Sequence, residues 1–176
     1  MKIFVVPRQY IKKEIEKNQN WILGKWIISI YSEGSYSPIS DRYNVLKLNF
    51  DDVTERDMNT TIHNEIFFNE NHAKEIHEFI NNISKNDTKP IYVHCDAGVS
   101  RSGAVGYILN EYFNKFLTNN ENDYKAFNVR NSHIMPNPLV VRLLKRELFG
   151  LPFAGITVND YTYNEDGEIV NHVEKI

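Results

Sequence analysis

The chain has 176 residues, 41% of them hydrophobic and 24% charged, with a formal net charge of -3. A chain of this length buries roughly two-thirds of its unfolded surface, so a single domain needing neither disulfide nor metal to hold its core is expected. The composition excludes a disordered chain, and it excludes a nucleic-acid binder working through bulk positive charge. A single cysteine excludes an internal disulfide, and the apolar run in "MKIFVVPRQYIKK" is too short for a secretory signal. No stretch approaches the roughly 20 apolar residues of a spanning helix. The expectation is a protein of the reducing cytoplasm with no membrane partner.

Three apolar runs near the start read as strands: "KIFVV" at 2–6, "WIISIY" at 26–31 and "VLKLNF" at 45–50. In the last, Leu46, Leu48 and Phe50 alternate with polar neighbours. Between the first two, "QYIKKEIEKNQN" sets Ile11 and Ile15 on one face of a short helix. From 71 to 84, Ala73, Ile76, Phe79, Ile80 and Ile83 fall at the spacing of a buried helix face, and that helix leads into the strand "IYVH". In "RSGAVGYILNEYFNKF", 101–116, Val105, Ile108, Leu109, Tyr112, Phe113 and Phe116 share one face of a single helix, and Gly103, Ala104 and Gly106 permit close packing on a sheet.

The polar run "NKFLTNNEND" reads as a surface loop. Asn137 before Pro138 is a helix start, an N-cap residue followed by proline at the first helical position, and Gly150 closes that helix. Beyond it, "ITVNDYTYNEDGEIVNHV" alternates apolar and polar residues around Asp166 and Gly167, a hairpin turn pair. Residues 151–176 therefore read as a tail, either an appended hairpin or loose. Strands interleaved with helices indicate an α/β fold, a central, mostly parallel sheet flanked by helices with its site at the strands' carboxyl ends.

The chemistry concentrates in "HCDAGVSRSG", His94 to Gly103, which holds the only cysteine and follows a buried strand. A lone cysteine is ordinarily an inert buried residue. Here a loop that ends a strand and opens a helix would converge its backbone N–H groups on an anion. Five residues separate Cys95 from Arg101, so the arginine fork and the amides of Asp96, Ala97, Gly98, Val99 and Ser100 would surround a phosphate above the sulfur. Gly98 permits the sharp turn. The same field favours the thiolate of Cys95 as a nucleophile, and phosphoryl transfer to sulfur is the expected reaction. Ser102 would hydrogen-bond the departing thiolate, and His94 would stiffen the loop.

This stretch matches the His-Cys-x-x-Gly-x-x-Arg-Ser/Thr signature, and on it the chain resembles the cysteine-dependent protein tyrosine phosphatases. "FINNISKNDTKPIYVHC" is similar to the helix and strand before the loop in the dual-specificity phosphatases, and "MPNPLVVRLLKREL" resembles their downstream Pro-Asn helix start. The resemblance covers about residues 45 to 149. It implies a phosphatase catalytic domain over 1–150, a phosphorylated side chain as substrate, and no metal or other cofactor. It also implies an aspartic acid on a separate loop, which protonates the leaving oxygen and then takes a proton from water. Asp52 in "NFDDVTERD" is the first choice because it follows the strand 45–50, with Asp51 second and Asp57 third.

The expected function is hydrolysis of phosphotyrosine in proteins, alone or with phosphoserine and phosphothreonine, through a phosphocysteine. The loop has no lysine between Cys95 and Arg101, which counts against phosphoinositides. An RNA 5′-phosphatase of the same fold is the alternative that "RSG" raises, and the acidic balance with no basic stripe counts against a nucleic-acid partner. A phosphoprotein-binding module without turnover is a third reading, opposed by the presence of both Cys95 and Arg101. Asn137 is read as a helix cap, His63, His72 and His77 as surface or packing residues rather than metal ligands, and Tyr43 as a packing aromatic.

Overall fold

The computed structural model describes residues 1–54, 65–83 and 87–150 in full and, beyond them, the backbone of three short strands. In chain order the elements are β1 (Ile3–Pro7), α1 (Arg8–Lys17), a 3-10 segment (Gln19–Gly24), β2 (Trp26–Tyr31), β3 (Val45–Asn49), α2 (Glu70–Asn81) and β4 (Ile91–Cys95). Then come α3 (Arg101–Asn110), which continues as a π-helix over Glu111–Leu117, α4 (Glu121–Arg130) and α5 (Pro138–Phe149). The sheet order is β1-β4-β2-β3, and every pairing in it is parallel. The expected α/β class is therefore what is found, with β4 inside the sheet and its carboxyl end flanked by those of β1 and β2.

Strand alternation supplies both layers. In β2, Ile28 and Ile30 point into the larger core, whereas Ile27 joins Ile11, Ile22 and Ile39 in a smaller one beneath α1. The larger core also takes Ala73, Ile76 and Ile80 of α2, Leu139, Val140 and Leu144 of α5, and the apolar residues of α3. Each isoleucine or leucine so buried contributes roughly 1.5–3 kcal/mol. α3 itself is buried along its whole length, because helices cover it on the side away from the sheet. Gly106 lets it approach closely: a Cβ there would overlap the Val5 side chain of β1.

Three expectations are corrected. The helix expected over 101–116 changes pitch after Asn110, and Phe116, expected on its buried face, is 64% exposed and rests on Tyr112 and Phe149 at the surface. In a π-helix successive residues advance by a smaller angle, so an apolar stripe written at 3.6-residue spacing rotates out of register. The run expected as a loop, 114–123, is mostly structured, entering the π-helix at one end and α4 at the other. α4 escaped notice because Phe127 is its only buried residue. Tyr43 is 75% exposed, touching the Trp26 ring edge-on rather than packing inside.

In the tail, β5 (Ile156–Val158), β6 (Tyr161–Tyr163) and β7 (Ile169–His172) pair antiparallel in that order, with a register shift at Thr162/Tyr163. The turn pair Asp166 and Gly167 lies outside the described residues. Among the described residues no helix is long and apolar enough to cross a membrane.

Candidate active site

Cys95 is the last residue of β4 and is buried. The chain then turns through Asp96–Ser100 into α3, and the turn is locked against β1. Asp96 O accepts the Arg8 N–H at 3.3 Å. Gly98 has φ of 73°, and a Cβ on it would lie 2.6 Å from both Val6 C and Pro7 N, so conformation and space each demand glycine. On the far side Val99 O accepts from Met135 N at 3.2 Å, and Ser100 O accepts from Ala104 N at 2.8 Å and Asn137 N at 3.3 Å. The carbonyls of Asp96, Val99 and Ser100 are thus committed to flanking segments. Ser100 makes no side-chain cap for α3, so the hydroxyl leaves the first amides of the helix uncovered.

Arg101, the first residue of α3, is 5% exposed and held by three acceptors. Its Nη1 donates to Phe50 O at 2.9 Å and Ser32 Oγ at 2.8 Å, and its Nη2 donates to Asp96 Oδ2 at 2.8 Å. Its Nε is buried and makes no hydrogen bond. Nε and the second Nη2 proton are the donors left to an oxyanion. The Ser102 hydroxyl is buried 3.1 Å from Cys95 Sγ. His94 is fully buried one residue before the cysteine, and burial first, then the nearby Arg8 charge, pushes its imidazole down from 6.5 to about 4. It is therefore a neutral packing group under the loop near neutral pH.

Of the carboxylates weighed for the acid, Asp52 reaches the loop. Its Oδ1 accepts from Ser100 Oγ at 2.7 Å and from Asn137 Nδ2 at 2.9 Å. Asp51 faces away: its Oδ2 accepts from Ile66 N at 2.9 Å, and its own N–H donates to Ile66 O at 2.7 Å, a backbone brace. Asp57 lies outside the described residues, as does His63.

Sequence reasoning missed three participants. Asn137 does cap α5, accepting from Val140 N at 3.2 Å, but its amide also grips Asp52 and Val53 O. Ser32, just past β2, braces Arg101. Arg8, at the start of α1, sets its Nη2 2.7 Å from Asp96 Oδ1. Ser32 and Arg8 lie at the carboxyl ends of β2 and β1, the two neighbours of β4, a placement that the sheet order reveals, and Asn137 is brought to the loop by α5 packing on α3. His72 caps α2 through Nδ1, 3.2 Å from Asn69 N, and His77 Nδ1 pairs with Glu147 at 2.8 Å. Among the described residues no group of three or more His, Cys, Asp or Glu side chains is arranged to hold a metal ion.

The fold is similar to that of known structures. The human tyrosine phosphatase-like serine/threonine/tyrosine-interacting protein superposes with a TM-score of 0.52 at 22% identity, covering 82% of this chain and 89% of that one. PTP-2 phosphatase of Cydia pomonella follows at TM-score 0.48 and 18% identity, over 99% of this chain and 95% of that one. PTPMT1 in complex with PI(5)P gives TM-score 0.46 and 16% identity, over 83% and 89%. No curated protein sequence matches the chain. The family model described as dual specificity phosphatase, catalytic domain, matches residues 38–147, the span holding β3, β4, the loop, α3 and nearly all of α5. The chain belongs to the dual-specificity phosphatase catalytic-domain family.

Proposed function

We propose that the chain hydrolyses phosphotyrosine in proteins, alone or together with phosphoserine and phosphothreonine, through a phosphocysteine at Cys95. The observation that carries the reading is the Asp52 carboxylate held 2.7 Å from Ser100 Oγ, because it brings a proton carrier from a separate loop against the loop that holds the nucleophile. Cys95 Sγ attacks phosphorus, the P–O bond to the leaving group breaks, and Asp52 delivers its proton to the departing oxygen. Arg101 Nε and Nη2, with the uncovered amides at the start of α3, hold the equatorial oxygens as charge builds. In the second half Asp52 takes a proton from water, water attacks phosphorus, and Ser102 hydrogen-bonds the thiolate as it leaves.

The catalytic unit we assign runs from 1 to 150, since β1 pairs with β4 along its whole length and leads directly into Arg8 at the start of α1. The single cysteine supports placement in the reducing cytoplasm. Purified protein assayed without added metal should release phosphate from an aryl phosphate and from a phosphotyrosyl peptide. It should release less from an inositol phospholipid or a 5′-triphosphorylated oligonucleotide. Retention of the aryl phosphatase rate in Cys95→Ser refutes the mechanism, and preference for the lipid or the RNA refutes the substrate class.

A further inference from the structure

The loop contains an acid where the substrate is an anion. Asp96 follows the nucleophile directly, and its carboxylate lies between two guanidinium groups, Oδ1 at 2.7 Å from Arg8 Nη2 and Oδ2 at 2.8 Å from Arg101 Nη2. The Asp96 side chain is 45% exposed, so this carboxylate sits at the mouth, whereas Arg101 beneath it is 6% exposed. As a hydrogen-bond acceptor Asp96 adds to the grip of Ser32 and Phe50 on Arg101. As a charge it would oppose a phosphate dianion, and the Arg8 cation cancels it.

We infer that Arg8 and Asp96 together determine specificity: cancelling each other, they leave Arg101 as the net cation at the loop among the described residues. The site then takes a lone phosphate monoester and rejects one carrying a second phosphate on the adjacent atom. This inference rests on the phosphatase reading above. The three charges come from separate places, the α1 start, the loop and the α3 start, and converge only through the pairing of β1 with β4. A second phosphate next to the scissile one would meet the Asp96 carboxylate at the mouth, with one cation already occupied in neutralising it. A unit charge about 6 Å from a doubly charged group changes its binding by about tenfold at a dielectric near that of water, the value suited to a carboxylate exposed at the mouth.

The test compares kcat/KM for phenyl phosphate with kcat/KM for catechol bisphosphate, whose second phosphate is vicinal on the same ring. Asp96→Asn keeps an oxygen to accept from Arg101 and removes the charge, so the ratio of bisphosphate to monoester should rise about tenfold. Arg8→Gln exposes the Asp96 charge and should lower the ratio by a similar factor. The double variant, in which the charges are again balanced, should return to within about twofold of the parent, and Arg8→Lys should keep the parental ratio. Both shifts should shrink in roughly 0.5 M salt, where the screening length falls to a few ångströms.

Ratios that stay within twofold in both single variants, or that move in the same direction, overturn the inference. Because each ratio is internal to one enzyme preparation, a variant with a smaller folded fraction still reports. Failure of the parent to hydrolyse either ester would instead overturn the phosphatase reading. In that event calorimetric binding of phosphate against pyrophosphate to the Cys95→Ser protein and its charge variants still decides the role of Arg8 and Asp96.

Discussion

Acid should destabilise this protein through His94 before most carboxylates titrate. The imidazole is 0% exposed, and burial with Arg8 close by pushes it down to about 4 from its ordinary 6.5. The unfolded chain therefore takes up a proton near 6.5, whereas the folded chain takes it up only near 4. Between those values the unfolded state binds more protons, so folding stability is complete above 6.5 and falls as the pH drops toward 4. From pH 7 to pH 5 the single group costs about 2 kcal/mol. Urea unfolding of the parent and of His94→Gln at both pH values isolates it, because the other titrating groups are shared. The advantage of the parent over the variant should shrink by about 2 kcal/mol on going to pH 5, and a nuclear magnetic resonance titration of the ring should give the low midpoint directly. A difference between the two proteins that is independent of pH would refute the argument.

Three other outcomes are expected. Asn137→Ala removes a helix cap and the amide that holds Asp52, so stability should fall by about 1 kcal/mol and kcat roughly tenfold. Asn137→Ser, which can still cap, should recover the stability but not kcat, and recovery of both would deny Asn137 any role in placing Asp52. In Ser102→Ala the thiolate leaves without its hydrogen bond, so rapid-quench kinetics on an aryl phosphate should show a burst of phenol followed by slow turnover; a linear time course would contradict this. Gly106→Ala drives a methyl group into Val5 and should cost about 1–3 kcal/mol by urea denaturation, with Val5→Ala in the same chain offsetting much of the loss.

The fold class was readable because hydrophobic periodicity is a local property, and β2, β4, α2 and α5 carry it plainly. So was the candidate loop, since its cysteine, glycine, arginine and serine lie within ten consecutive residues. The π-helix after Asn110 was not, because the sequence there still repeats at helical spacing and the change of pitch follows from packing. Nor could residue spacing choose between Asp51 and Asp52, neighbours on one loop. The choice needs Ser100 and Asn137 on one side and Ile66 on the other, three partners from three parts of the chain. Arg8 was hidden for the same reason: nothing near it in sequence announces Asp96.

The order β1-β4-β2-β3 also governs when this protein begins to work. Parallel pairing sets Ile3 beside Ile91, so most of the chain must be present before the first strand has a neighbour. The brace on Asp52 comes later still, from Asn137 at the head of α5. A nascent chain leaving the ribosome would thus carry its cysteine for many residues without the amide that holds Asp52. Contacts of such long sequence separation form slowly and together. Phosphatase activity should therefore return only with global refolding, making turnover a direct clock for completion of the sheet.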